Sequence, residues 1–97
     1  MAQTVSECLT AATDSVTVIN DINSNGLSST HISASDPSAG VTQADANARV
    51  KANVDHLTTI LAYDGTGDKP DVAGASDNKS SYTTAITTGN TYISNNS

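Results

Sequence analysis

Tryptophan and phenylalanine are missing from this 97-residue chain, and tyrosine occurs only three times. Large aromatic side chains dominate the energetics of most cores. Here the core has to come from about twenty Val, Ile, Leu and Tyr side chains. A chain this short buries a modest share of its surface, so the core is thin and burial against partner subunits would add usefully to it. Cysteine occurs once, at Cys8, which excludes an internal disulfide; with only two histidines there is no Cys/His zinc set either. Four basic residues stand against ten acidic ones, for a formal net charge of −6. Nothing resembles a basic patch, so no nucleic-acid partner is expected. No apolar run approaches membrane-spanning length, and no membrane partner is expected. The opening "MAQTVSECLT" lacks the basic and apolar regions of a signal peptide. A soluble chain made in a cytoplasm is expected.

Ser, Thr, Asn and Asp are abundant, making up close to half of the residues. These side chains favour caps, turns and hydrogen-bonded surfaces. Apolar residues recur among them with helical spacing. Val5, Cys8, Leu9, Ala12, Val16, Ile19 and Ile22 are separated by steps of mostly three and four, which predicts a helix over 5–24. Thr4 and Glu7 have the spacing of a capping box at its start. A second stripe, Val50, Val54, Leu57, Ile60 and Leu61, predicts a helix over 42–63 with Thr42 as N-cap and Asp45 three residues on. Arg49, Lys51, Asn53 and Asp55 fall mainly off that stripe. Tyr82, Ala85, Ile86, Gly89 and Ile93 fit a third helix over 77–94, capped by Asp77, although the Thr pairs in this stretch also suit a strand. The expected fold is mainly α: one small three-helix domain with long polar loops. Residues 26–40 form a connection that is long for a compact bundle and read as a contact arm.

"DINSNG", Asp21 to Gly26, matches the first half of a calcium-binding helix–loop–helix. The twelfth position should be a bidentate Glu, and it is Ile32. A helix end closed by Gly26 or Asn25 in left-handed geometry fits better. "DGTGD", Asp64 to Asp68, fails the same test at Lys69 and Ala75, and "GTGDKP" lacks the Gly-Lys-Ser/Thr of a phosphate loop. A Ser-His-Asp set can be imagined in any chain with thirteen serines, so its components carry little weight. His31 and His56 read as structural or surface residues, and Cys8, on an apolar face, as a buried unreactive thiol. No catalytic residue, cofactor-binding residue or metal ligand is assigned, and no cofactor is expected.

The segments "ANVDHLTTILAYDG" and "YTTAITTGNTYI", in a Thr/Ser/Asn-rich, acidic and Lys-poor chain, resemble the small structural proteins of tailed-phage virions. The resemblance covers the C-terminal half. It implies a non-enzymatic protein made in the host cytoplasm and incorporated in the virion in many copies. Its role there would be capsid decoration or cement, connector or tail component. The implied partners are other virion proteins, in a homo-oligomer or repeated array. Leu27, Ile32, Tyr63 and Tyr92 are the expected partner contacts, because isolated apolar and tyrosine side chains near loops suit interfaces. Two other classes compete. Small helical secreted effectors of the ESAT-6 type share the length and acidity, but they carry a Trp-x-Gly turn between two long helices, and this chain has no Trp. A small metal-binding or enzymatic domain would need a carboxylate or histidine cluster that the spacing does not provide.

Overall fold

The computed structural model describes residues 3–97. Three helices account for its regular structure: α1 (Val5–Asn25), α2 (Gln43–Leu61) and α3 (Ser80–Asn95), with a single 3-10 turn, Gly26–Ser28, after α1. No strand occurs among the described residues, which settles the Thr pairs of the last segment as helical.

Local chemistry fixes two of the three helix starts. At α1, the Thr4 hydroxyl accepts from the Glu7 N–H while the Glu7 carboxylate accepts from the Thr4 N–H. Thr42 and Asp45 make the same reciprocal pair at α2. Each box satisfies two backbone donors that a helix start otherwise leaves open. The third start differs from expectation. Asp77 does not cap α3; the helix begins three residues later, after Lys79, and the Asn78 side chain accepts from the Ser80 N–H. Lys79 is held back by its own ammonium, which donates to the carbonyls of Ala73 and Ala75.

The helices run up, down and up, and each packs on the other two. Ser15 of α1 meets His56 of α2, Gln43 of α2 meets Tyr92 of α3, and Thr13 of α1 meets Tyr82 of α3. With Gly89 of α3 beside Ile19 of α1 and Val50 and Val54 of α2, α1 and α3 run parallel and α2 is antiparallel to both. The body measures 43 × 26 × 18 Å. Its main core joins Ala12, Val18, Ile19 and Ile22 of α1, Ala46, Val50, Val54 and Leu57 of α2, and Ala85 and Tyr92 of α3. A smaller cluster joins Cys8, Ile60 and Val72. Val72 comes from the Gly- and Asp-rich α2–α3 loop, yet it is fully buried.

Gly89 marks a close approach of all three helices. A Cβ placed there would lie 2.5 Å from Val54 Cγ2, 3.1 Å from Val50 Cγ1 and 3.4 Å from Ile19 Cγ2. Glycine disfavours a helix interior by propensity, yet here its missing Cβ is what lets α3 settle between its neighbours. Gly26 closes α1 with φ 57 and ψ −134. The positive φ was expected, but this ψ lies outside the left-handed helical region, in territory that glycine alone enters freely.

Three further expectations are corrected by packing. Asn53 is buried rather than off the stripe, because its amide donates to the Arg49 carbonyl one turn back and needs no water. Ile32 belongs to the main core at 8% exposure, so it is covered by its own chain. The 26–40 connection is not a free arm. The Asp21 carboxylate accepts from Asn25, Ser29 and His31, Arg49 donates to the His31 carbonyl, and Ser35 donates to Asp45. These bonds tie the connection to α1 and α2 before any partner is present.

Candidate subunit-contact surface

Polar clusters that could perform chemistry come first. Ser15 Oγ lies 3.0 Å from His56 Nδ1, but the serine is only 3% exposed, inside the α1–α2 seam. Asp55, next to His56 in sequence, pairs instead with Lys51 at 3.1 Å. A nucleophile needs its base, its orienting acid and a path to substrate; this hydroxyl has the first only. In the second cluster Asp21 sits in the middle, taking hydrogen bonds from both Ser29 Oγ and His31 Nδ1. The imidazole is bonded to the carboxylate and not to the serine hydroxyl, so the Ser-His-Asp order of a nucleophilic set is not made. Those hydrogen bonds, Ser29 first, then His31 and Asn25, hold the Asp21 carboxyl below its ordinary pKa. "DINSNG" is thus the end of a helix whose aspartate anchors the following connection. Cys8 is 1% exposed, and burial, followed by the neighbouring Glu7 charge, pushes its thiol above the usual pKa. A raised pKa keeps the unreactive thiol form.

The four expected partner contacts do not form one patch. Leu27 is the exposed large apolar residue among the described residues, at 44%. Ile32 and Tyr92 are packed inside, with the Tyr92 hydroxyl accepting from Gln43 Nε2 at 3.0 Å. Tyr63 is half-buried beyond the far end of α2, where the Lys69 ammonium stands 5.8 Å from its ring centre and its carbonyl accepts from the Ala73 N–H. Tyr63 and Tyr92 are thus separated by roughly the 28 Å length of α2.

A different surface emerges from the α1–α3 pair. Helical spacing puts Ser6, Leu9, Thr13, Val16, Thr17 and Asn20 on the outer flank of α1 that adjoins α3. Tyr82, Thr83, Ile86, Thr87, Asn90 and Ile93 form the matching flank of α3. The two flanks meet where Thr13 Oγ1 and Tyr82 OH lie 3.3 Å apart. Neither flank carries a charged side chain. All of α1's carboxylates, Glu7, Asp14 and Asp21, are spaced by seven and so share one stripe on the α2 side. The whole stretch from Ser80 to Ser97 contains no Asp, Glu, Lys, Arg or His. Asp77 stands at one end of the face, where an open groove is lined by Val5, Leu9, Thr13 and Tyr82.

The threonines on this face are less polar than their names suggest. Thr10, Thr13 and Thr17 donate to the carbonyls of Ser6, Leu9 and Thr13, and Thr83 and Thr87 donate within α3 to Ser80 and Thr83. A hydroxyl already bonded one turn back loses little on leaving water. Between them sit the half-buried Leu9, Val16, Tyr82, Ile86 and Ile93. This face escaped the sequence reading, which followed apolar stripes and not charge. The heptad spacing of the α1 carboxylates and the uncharged last eighteen residues are the signals that point to it.

No known protein family, no curated protein sequence and no solved structure matches this chain. No described helix is long and apolar enough to cross a membrane.

Proposed function

We propose that this chain is a non-enzymatic structural subunit of a tailed-phage virion that works by binding other virion subunits in a repeated array. Capsid decoration, connector and tail positions all fit this reading. One observation carries it: a chain of net charge −6 keeps both helical flanks of one face free of charge, with Asp77 only at its end. A solvated surface has no need of that segregation, whereas the centre of a protein contact is depleted in charged side chains. The engagement of Ser15, Asp21 and His31 with their own chain and the burial of Cys8 agree with it, since these groups serve the fold. The contact surface moves accordingly, from the 26–40 connection to the α1–α3 face, with Leu27 at the end of α1 as a peripheral contact. The secreted-effector alternative calls for a short turn between two long helices; the long connection and the third helix packed on both partners favour it less.

The test is mass spectrometry of native particles or complexes purified with this protein, followed by an incorporation assay. The wild-type chain should travel with virion proteins in a fixed, repeated stoichiometry. A Thr17→Asp/Thr87→Asp variant, which puts charge into the face, should fold normally and incorporate poorly. Purification without any virion partner would end this reading.

A further inference from the structure

We infer that the α1–α3 face pairs with the same face of a second copy of this chain. The inference rests on the reading of that face as a subunit contact and names its first occupant. Charge is the argument. Two copies, each at −6, repel one another in most orientations. The acidic stripe of α1 lies towards α2, the charges of α2 itself (Asp45 and Asp55 against Arg49 and Lys51) cancel, and the loops carry the remaining net charge. When two copies meet through α1 and α3, those carboxylates point away from the contact. Most of the repulsion then acts across more than a Debye length of about 8 Å and is screened. A basic partner would instead be drawn to the acidic stripe of α1 and to the loops, and a strongly acidic one gains nothing from a neutral face. A second copy offers what this face can match: exposed threonines whose hydroxyls are already bonded and half-buried aliphatic side chains, with little polar desolvation to overcome.

The area sets the strength. α3 is about 24 Å long and a packed helix pair is roughly 18–20 Å across, so the footprint is on the order of 450 Å². A standard specific interface takes about 800 Å² from each partner. The pair is therefore weak and concentration-dependent alone, and its full effect comes where copies are held close together, as in a shell or tube. A two-fold arrangement satisfies both faces at once, because the same residues oppose each other.

Sedimentation velocity on the purified full chain tests this over a concentration series reaching the millimolar range. The wild type should shift from monomer to dimer, and added salt should leave the dimer intact or strengthen it by screening the −6 charges. Thr17→Asp/Thr87→Asp should weaken the dimer roughly tenfold or more, with an unchanged circular dichroism spectrum. Mixing it with Thr17→Lys/Thr87→Lys should restore a dimer, while Thr59→Asp, on the outer side of α2, should behave as wild type. A wild type that stays monomeric, a Thr17→Asp/Thr87→Asp variant that dimerises normally, a Thr59→Asp variant that does not dimerise, or a dimer dissolved by salt would each overturn the inference. Virion proteins found with a chain that stays monomeric would sink the self-pairing alone. Dimerisation without any virion partner would sink the virion role and leave the self-pairing standing.

Discussion

Gly89→Ala tests the packing where all three helices converge. Two effects oppose each other. Alanine is favoured over glycine in a helix interior by about 0.8–1.0 kcal/mol, so an exposed glycine would gain that much. At this site the new methyl would lie 2.5 Å from Val54 Cγ2 and 3.1 Å from Val50 Cγ1, against an optimum of about 3.5–4.0 Å. Both neighbours are β-branched residues within α2, where one χ1 rotamer dominates, so neither can swing aside cheaply. Overpacking of this kind costs about 1–3 kcal/mol. The net expectation is destabilisation of about 1 kcal/mol, or roughly 4–8 °C in melting temperature for a domain of this size. The sign should reverse in a Val54→Ala background, where the methyl fills space that valine vacated and the helix-propensity gain is realised. Thermal and urea melts of the four proteins of this cycle give the coupling directly. A Gly89→Ala variant more stable than wild type, or the same effect in both backgrounds, would refute the close approach.

The remaining predictions concern polar anchors and the 26–40 connection. His56→Ala should destabilise by about 1–3 kcal/mol in urea melts, because it leaves the buried Ser15 hydroxyl without its side-chain partner; adding Ser15→Ala should recover part of the loss. Ile32→Ser should lower the melting temperature clearly through lost core burial, while Leu27→Ser should leave it nearly unchanged, since Leu27 is 44% exposed. The pKa of Asp21 is lowered in the folded state by its bonds to Ser29, His31 and Asn25. Its contribution is complete above the unfolded value of 3.8 and is lost as pH falls from there through the lower folded value. Asp21→Asn should therefore reduce the acid sensitivity of the melting temperature at its low-pH end. Asp21 has its carboxylate engaged with the protein, so melts in calcium and in chelator should coincide; a calcium-dependent rise in the midpoint would contradict the assigned role of "DINSNG".

Local interactions wrote the helices into the sequence. The Thr4–Glu7 and Thr42–Asp45 boxes depend on residues three apart, and the stripes of α1 and α2 depend on a fixed helical period, so both are legible without a structure. The start of α3 was less legible, because Lys79 is restrained by carbonyls in a loop whose path depends on Val72 being buried. What only the tertiary structure decided is which neighbour each side chain meets. Ile32 and Tyr92 stand near loops in the sequence and looked available to partners, yet the packing of three helices covers both. Gly89 weakens a helix by propensity, and only its distances to Val50, Val54 and Ile19 explain its place. Asn53 reads as a surface amide until its bond to the Arg49 carbonyl is placed in the bundle. The uncharged face was half visible, since the α1 carboxylates keep heptad spacing and the chain from Ser80 onward has no charge. That these two neutral flanks form one surface depends on α1 and α3 lying side by side. Burial and adjacency belong to pairs of elements distant in sequence, and no local pattern encodes which pair will meet.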